Sequence, residues 1–185
     1  MKSMKILVIA DTHIPNRASW LPKEIDTFIM SRNFDALICL GDLTNEEIFE
    51  YLRKISRDSY FVRGNMDYLN LPRQQVIKFG KLKIGAIHGD GIYPRGNRKQ
   101  LGKVAERLSV NILLSGHTHT PDIFMFKEKN ILLANPGSAT GAWGGGGGSM
   151  KPSFMLLEIK ENDLILKLYE LEEKLKCTQK EKFNF

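Results

Sequence analysis

Three short apolar runs separated by two helical patterns constrain this 185-residue chain more than any other feature. Lys5–Ala10, Ala36–Leu40 and Ser59–Val62 read as strands, too short for helices and bounded by polar or turn residues. Between the first two, Pro22-Lys23-Glu24-Ile25 opens a helix with Ile25, Phe28 and Ile29 on one face. Between the second and third, Thr44-Asn45-Glu46-Glu47 reads as a capping box, the Thr44 hydroxyl and the Glu47 carboxylate each satisfying a free amide. The helix that follows carries Ile48, Leu52 and Ile55 at core spacing. A strand–helix–strand–helix–strand order predicts a parallel sheet covered by helices, because parallel neighbours need a crossover. Ligands of such sheets collect beyond the carboxyl ends of the strands. Asp11, Asp42 and Asn65 all stand at those ends.

From Gln75 onward the pattern changes to hairpins. Val76–Phe79 and Leu82–Ile87 flank Gly80-Lys81, and the second strand runs into His88-Gly89-Asp90. A helix with Leu101, Val104, Ala105 and Leu108 precedes the run Asn111–Ser115, which delivers Gly116-His117-Thr118-His119. Phe124–Phe126 pairs with Ile131–Leu133, and Phe154–Ile159 with Leu164–Leu171. Three hairpins after a parallel half predict a second sheet, hence an α/β sandwich of two sheets. Residues 1–171 form one domain in this reading, and 172–185, with four lysines between Lys174 and Lys182, form a polar tail. The run Gly144–Gly148 is a surface loop or a mobile lid with Trp143 at its base.

Composition bears mainly on what the chain is not. A hydrophobic fraction of 42% supports a core, and no apolar run approaches the roughly 20 residues of a membrane span. The start, Met1-Lys2-Ser3-Met4-Lys5, leads into a run too short for a signal-peptide core, so the expected location is cytoplasmic. Cys39 sits in an apolar run and Cys177 in a polar one, which predicts free thiols rather than a disulfide framework. A net charge of +6 is scattered instead of striped, so nucleic-acid binding is not indicated.

All four histidines join the strand-end set, which becomes Asp11, His13, Asp42, Asn65, His88, His117 and His119. Seven oxygen or imidazole-nitrogen donors fit two divalent ions sharing a carboxylate. The donor types suit Mn, with Ni, Zn, Fe, Co and Mg as alternatives. The absence of thiolates argues against a closed structural zinc site. Two such ions can clamp a displacement at phosphorus, and Arg63, beside Asn65, adds a charge that suits a phosphate.

Asp11-Thr12-His13, Gly41-Asp42, Gly64-Asn65-Met66-Asp67, His88-Gly89 and Gly116-His117-Thr118-His119 resemble, in order, the five motifs of the calcineurin-like metallophosphoesterases. Asn135–Ala142 and Pro152-Ser153-Phe154 extend the likeness to the small phosphodiesterase branch that includes the phosphoesterase-fold subunit of retromer. The resemblance implies a four-layer αββα sandwich. It places Asp11, His13, Asp42 and His119 on one ion and Asp42, Asn65, His88 and His117 on the other, with Asp42 bridging. Asp42, Asn65 and His117 are then catalytic, with a water or hydroxide between the ions as nucleophile, and Arg63, Asn65 and Ser138 contact the substrate. Many relatives carry a histidine where this chain has Met66, which cannot transfer a proton; this favours phosphodiesters over alkyl monoesters. Asp67 is expected to be structural. The expected partner is a phosphodiester small molecule or nucleotide, without a membrane, and the hairpin-rich half leaves an edge for a homodimer. The alternative is a retromer-type scaffold that binds protein and has lost catalysis.

Overall fold

The parallel nucleus follows directly from the first sixty residues. The computed structural model describes residues 3–185; Met1 and Lys2, which open the segment expected to lack a leader, lie outside the described residues. Strands β1 (Met4–Ile9), β2 (Ala36–Cys39) and β3 (Asp58–Phe61) pair in parallel, with Ile6 opposite Ala36 and Ala36 opposite Asp58. Helices α1 (Lys23–Met30) and α2 (Glu46–Arg53) are the crossovers. Alternation along β1 sends Leu7 and Ile9 towards Ile25, Ile29, Ile48 and Leu52 of these helices. Ile6, Val8 and Ala10 point the other way, into a core between two sheets.

The second sheet holds β4 (Gln74–Phe79), β5 (Leu82–Ile87), β6 (Ile112–Leu114), β7 (Asp122–Phe126) and β8 (Ile131–Asn135), in the order β4-β5-β6-β8-β7. Here β5, β6 and β8 are parallel neighbours. Helix α3 (Arg98–Leu108) covers the outer face, burying Leu101 and Ala105 with Leu113 and Leu133. The layers are therefore helix, sheet, sheet, helix, the αββα sandwich expected. Among the described residues no helix is long and apolar enough to cross a membrane.

Three expectations need correction. The third hairpin does not build the second sheet: β9 (Ser153–Lys160) pairs antiparallel with β1, and β10 (Asp163–Leu171) pairs with β9. The reason is that β9 is apolar on both faces. Phe154 and Leu156 meet the α1/α2 layer while Met155, Leu157 and Ile159 meet the inter-sheet core. Such a strand belongs beside β1, inside a sheet covered on both sides.

The stretch 172–185 is not a free tail either. Leu175–Asn184 is β11, antiparallel to β10 from Leu171↔Leu175 to Asp163↔Asn184. An edge strand needs only its backbone bonds on one side, so a lysine-rich sequence serves. Phe183 and Phe185 pack against the core, and Lys182 reaches Asp163 at 2.9 Å.

Finally, Asn45 and not Thr44 caps α2. The Asn45 carboxamide oxygen accepts the Glu47 amide at 2.5 Å. Thr44 lies in left-handed backbone (φ 69°), and its hydroxyl donates to the Ile14 carbonyl at 2.8 Å.

Phe154 ties the antiparallel strands to the helices. It is fully buried, stacks on Tyr169 with centroids 5.1 Å apart and lies 5.1 Å from the Phe28 ring. Phe154→Ala is expected to lower stability by about 3–5 kcal/mol in urea or guanidinium melts, the usual cost of emptying such a position.

Candidate metal centre

The carboxyl ends of both parallel triplets meet at one end of the sandwich. The Asp11 amide donates to the Gly41 carbonyl at 3.0 Å and the His13 amide to the Asp42 carbonyl at 2.9 Å, joining the loops after β1 and β2. From the second sheet, the Gly116 amide donates to the His88 carbonyl at 2.9 Å, and the His117 amide to Asp11 Oδ2 at 2.9 Å. The backbone is strained where it delivers side chains. Asp11, His13, Asp42, His117 and His119 have φ of 52°, 47°, 55°, 70° and 58°. Left-handed backbone at a residue with a Cβ costs on the order of 1–3 kcal/mol, and it persists only where surroundings over-determine it.

One carboxylate does much of that determining. Asp67 is buried, and its Oδ2 accepts the amides of Asp42 (2.9 Å) and Gly64 (2.8 Å) while Oδ1 accepts those of Leu43 (2.8 Å) and Thr44 (2.9 Å). The loops after β2 and β3 thus close on a single side chain, consistent with the structural role expected of it. Close approach demands glycine here: a Cβ on Gly64 would stand 2.1 Å from Asp42 Oδ1, and one on Gly41 would stand 2.5 Å from the Gly64 nitrogen.

The donor atoms converge on one small volume. His88 Nδ1 donates to the Leu40 carbonyl at 2.7 Å and His119 Nδ1 to the Ala142 carbonyl at 2.6 Å, which turns each Nε2 inward, the nitrogen that would ligate a metal in place of a proton. His13 Nε2 stands 3.1 Å from His119 Nε2. His88 Nε2 lies 3.1 Å from Asn65 Oδ1 and 3.2 Å from His117 Nδ1. Asp42 Oδ2 lies 3.4 Å from both His13 Nε2 and His88 Nε2, while its Oδ1 takes the Met66 amide at 2.8 Å. Asp11 Oδ1, 3.5 Å from His119 Nε2, is buried with no hydrogen-bond partner. An orphaned buried carboxylate oxygen among imidazole lone pairs fits a cation. Asp11, His13 and His119 form one group able to hold a metal ion; Asp11, Asp42 and His88 form another.

The electrostatics point the same way. Burial pushes the Asp11 carboxyl up to about 7, against the lowering influence of His88. Burial also works to raise Asp42, but the His88 hydrogen bond and charge outweigh it and hold that carboxyl down to about 2. Burial opposes a charge on His88, yet Asp42 and Asp11 lift it to about 9. Burial lowers His13 and His117 to about 4 and lowers His119 as well. A field that draws a proton onto one buried imidazole draws a metal cation equally well.

All seven strand-end residues are thus brought together, Asn65 and His117 at the more exposed side. The three substrate contacts fare differently. Ser138 is a correction: it is fully buried, and its hydroxyl donates to the Asp11 carbonyl at 2.7 Å and accepts the Ala142 amide at 3.0 Å. It braces the loops and cannot reach a substrate. Arg63 is exposed, its Nε donating to the Asp67 carbonyl at 3.3 Å. Met66 is 43% exposed.

Sequence reading missed two supports. The Asn135 carboxamide donates to the Gly116 carbonyl at 2.8 Å and to Thr118 Oγ1 at 3.1 Å, fixing the paired-histidine loop; in the sequence Asn135 carries only the family likeness of Asn135–Ala142. Arg95 Nη1 donates to the Gly144 carbonyl at 2.8 Å and Nη2 to that of His117, with no sequence signal beyond its charge. Asp67→Asn replaces one acceptor by a donor aimed at backbone amides. It is expected to cost about 3 kcal/mol or more in denaturant melts and to weaken metal retention, read by calorimetric titration.

A family model for the calcineurin-like phosphoesterase superfamily domain matches residues 4–162. The chain is 46% identical over 138 residues to the probable metallophosphoesterase MJ0623 of Methanocaldococcus jannaschii, covering 75% of this chain and 69% of that one. The fold is similar to that of Vacuolar Protein Sorting 29 from Cryptosporidium parvum, with a TM-score of 0.93, 28% identity and 100% of both chains covered. It is also similar to Vps29 of Entamoeba histolytica complexed with zinc, with a TM-score of 0.87, 33% identity, and 98% of this chain and 99% of that one covered. Fold, donor set and family match agree, and the chain belongs to the calcineurin-like phosphoesterase superfamily.

Proposed function

We propose that this protein is a phosphodiesterase with a dinuclear metal centre. The observation that carries the reading is Asp42 Oδ2, equidistant at 3.4 Å from an imidazole nitrogen of each half of the site. That placement suits a carboxylate shared by two ions. Asp11, His13, Asp42 and His119 would hold one, and Asp42, Asn65, His88 and His117 the other. Asp11 also falls within reach of the second group. Mn heads the candidates, followed by Ni, Zn, Fe, Co and Mg. When bound, such a pair supplies Lewis acidity that acidifies water and offsets charge on the phosphoryl oxygens.

The protein's own part is preorganisation. Leu40 and Ala142 carbonyls hold two imidazoles in the ligating tautomer, so no reorientation accompanies reaction. Asn65 directs its oxygen to His88, which leaves its amide group to donate to a phosphoryl oxygen. Arg63, outside it, offers the guanidinium N–H groups not spent on Asp67. Met66 supplies no proton to a leaving group, so the substrate in this reading is a diester whose leaving oxygen is acidic enough to depart as the anion or takes its proton from solvent. A cytoplasmic setting, with Cys39 and Cys177 both free, belongs to this reading.

A second reading has its own support, the likeness to Vps29 over the full chain. In it the protein is a retromer-type scaffold. A scaffold has no physical need of seven intact donors, five of them on strained backbone, and this favours the enzyme.

Purified protein is expected to hold close to two divalent ions by elemental analysis. Mn-loaded protein should cleave bis(p-nitrophenyl) phosphate, with activity lost to chelator and restored by metal. Asp42→Ala should lose bound metal and lower kcat/KM by about a thousandfold or more, on the scale of removing a central electrostatic group. Full activity in Asp42→Ala would remove the assignment. Retention of a protein partner after metal removal, with no diester cleaved under any of these metals, would favour the scaffold.

A further inference from the structure

A second group of side chains stands around the same mouth, outside the ligand set. Trp143 directly follows Ala142, whose carbonyl accepts His119 Nδ1. Its backbone is held from several sides. Arg17 Nη1 donates to the Trp143 carbonyl at 2.6 Å, Arg95 Nη1 to the Gly144 carbonyl at 2.8 Å, and the Ser149 amide to the His119 carbonyl at 3.0 Å. The glycine run therefore lies as a fastened strap against His119, and not as the free loop its composition suggests. Added Cβ atoms at Gly144 and Gly148 would stand 3.0 and 3.1 Å from the His119 side chain.

Between Trp143 and Ser149 the strap carries no side chain at all, and added Cβ atoms at Gly145 and Gly147 would meet nothing within 4 Å. The indole is thus the one side chain this strap presents before Ser149, and it is 58% exposed on a backbone that is already fixed. Arg17 lies over it, Cζ 6.0 Å from the ring centroid. Arg17 also belongs to the ligand loop, its amide donating to the His13 carbonyl at 2.8 Å. An exposed aromatic face, preorganised beside a cation and next to a phosphoryl-handling centre, is what an aromatic ring attached to a phosphate would stack on.

We infer that Trp143, with Arg17 beside it, is a subsite for the base of a nucleotide phosphodiester, holding the group that stays on phosphorus while the leaving group departs. This rests on the phosphodiesterase reading and names its substrate class. An aliphatic diester gains nothing from an indole, whereas every nucleobase has a π-face to stack.

Two chromogenic substrates with one leaving group separate the two ideas. These are the p-nitrophenyl ester of thymidine 5′-monophosphate and methyl p-nitrophenyl phosphate, assayed with Mn-loaded protein. The kcat/KM ratio should favour the nucleoside ester by about tenfold or more, the lower range of base stacking. Trp143→Ala should bring the ratio towards one, chiefly through KM. Trp143→Phe should keep most of the preference. Trp143→Leu, which retains bulk without a π-face, should lose it. A wild-type ratio near one, or a ratio untouched in Trp143→Leu, overturns the subsite while cleavage of both esters still upholds the phosphodiesterase. Cleavage of neither ester removes both.

Discussion

The candidate metal-binding end of this protein depends on four hydrogen bonds to one carboxylate. Asp67 collects the amides of Asp42, Leu43, Thr44 and Gly64, groups that neither sheet could satisfy, because the chain has left both ladders by then. Buried amides without acceptors would open the loops to water. With Asp67 in place, Asp42 is fixed in left-handed backbone, and its carboxylate points at two imidazoles on opposite sides. The distances within the candidate centre are downstream of that anchorage.

Two imidazoles borne by loops of the second sheet, His88 and His119, are set by similar means. Carbonyls of Leu40 and Ala142 each take an Nδ1 proton, and Asn135 steadies the loop between the paired histidines. These partners are mostly backbone groups, and that explains what sequence could and could not show. Ligand side chains are legible because aspartate, asparagine and histidine at the ends of apolar runs have few other uses in such number. The carbonyls that orient them carry no residue signature. Ser138 illustrates the limit: a hydroxyl near the site reads as a substrate contact, but it is fully buried and bonded to the Asp11 carbonyl, the Ala142 amide and Thr140 Oγ1.

The same division applies to the fold. Local periodicity was enough for the parallel nucleus, the three helices and all three hairpins. Which sheet the last hairpin joins depends on pairing between β1 and β9, about 150 residues apart in sequence, and no local pattern encodes that partner. The clue was composition, since Phe154–Leu157 is apolar at successive positions and must be covered on both faces. Leu175–Asn184 hid for the opposite reason: an edge strand satisfies its backbone with one neighbour and can dress its faces with lysine and glutamine. Thr44 misled because the capping rule assumes that a threonine before Glu47 is free to cap, whereas here its hydroxyl is held by the Ile14 carbonyl and Asn45 takes the cap.

Five of the seven candidate ligands sit on left-handed backbone, and all five lie at one end of the sandwich. The strain at the ligands is thereby kept out of the apolar layers that carry the stability, and the other left-handed residues, Thr44, Ser109, Asn130, Met150 and Glu161, lie in loops and turns. The body of the protein can absorb volume-conserving apolar exchanges, as packed cores do, while the rim cannot relax without releasing its donor atoms. Such a molecule is tolerant at one pole and brittle at the other. Loss of chemistry with retention of fold is then a short evolutionary step, and a protein surface on an intact sandwich is what would remain.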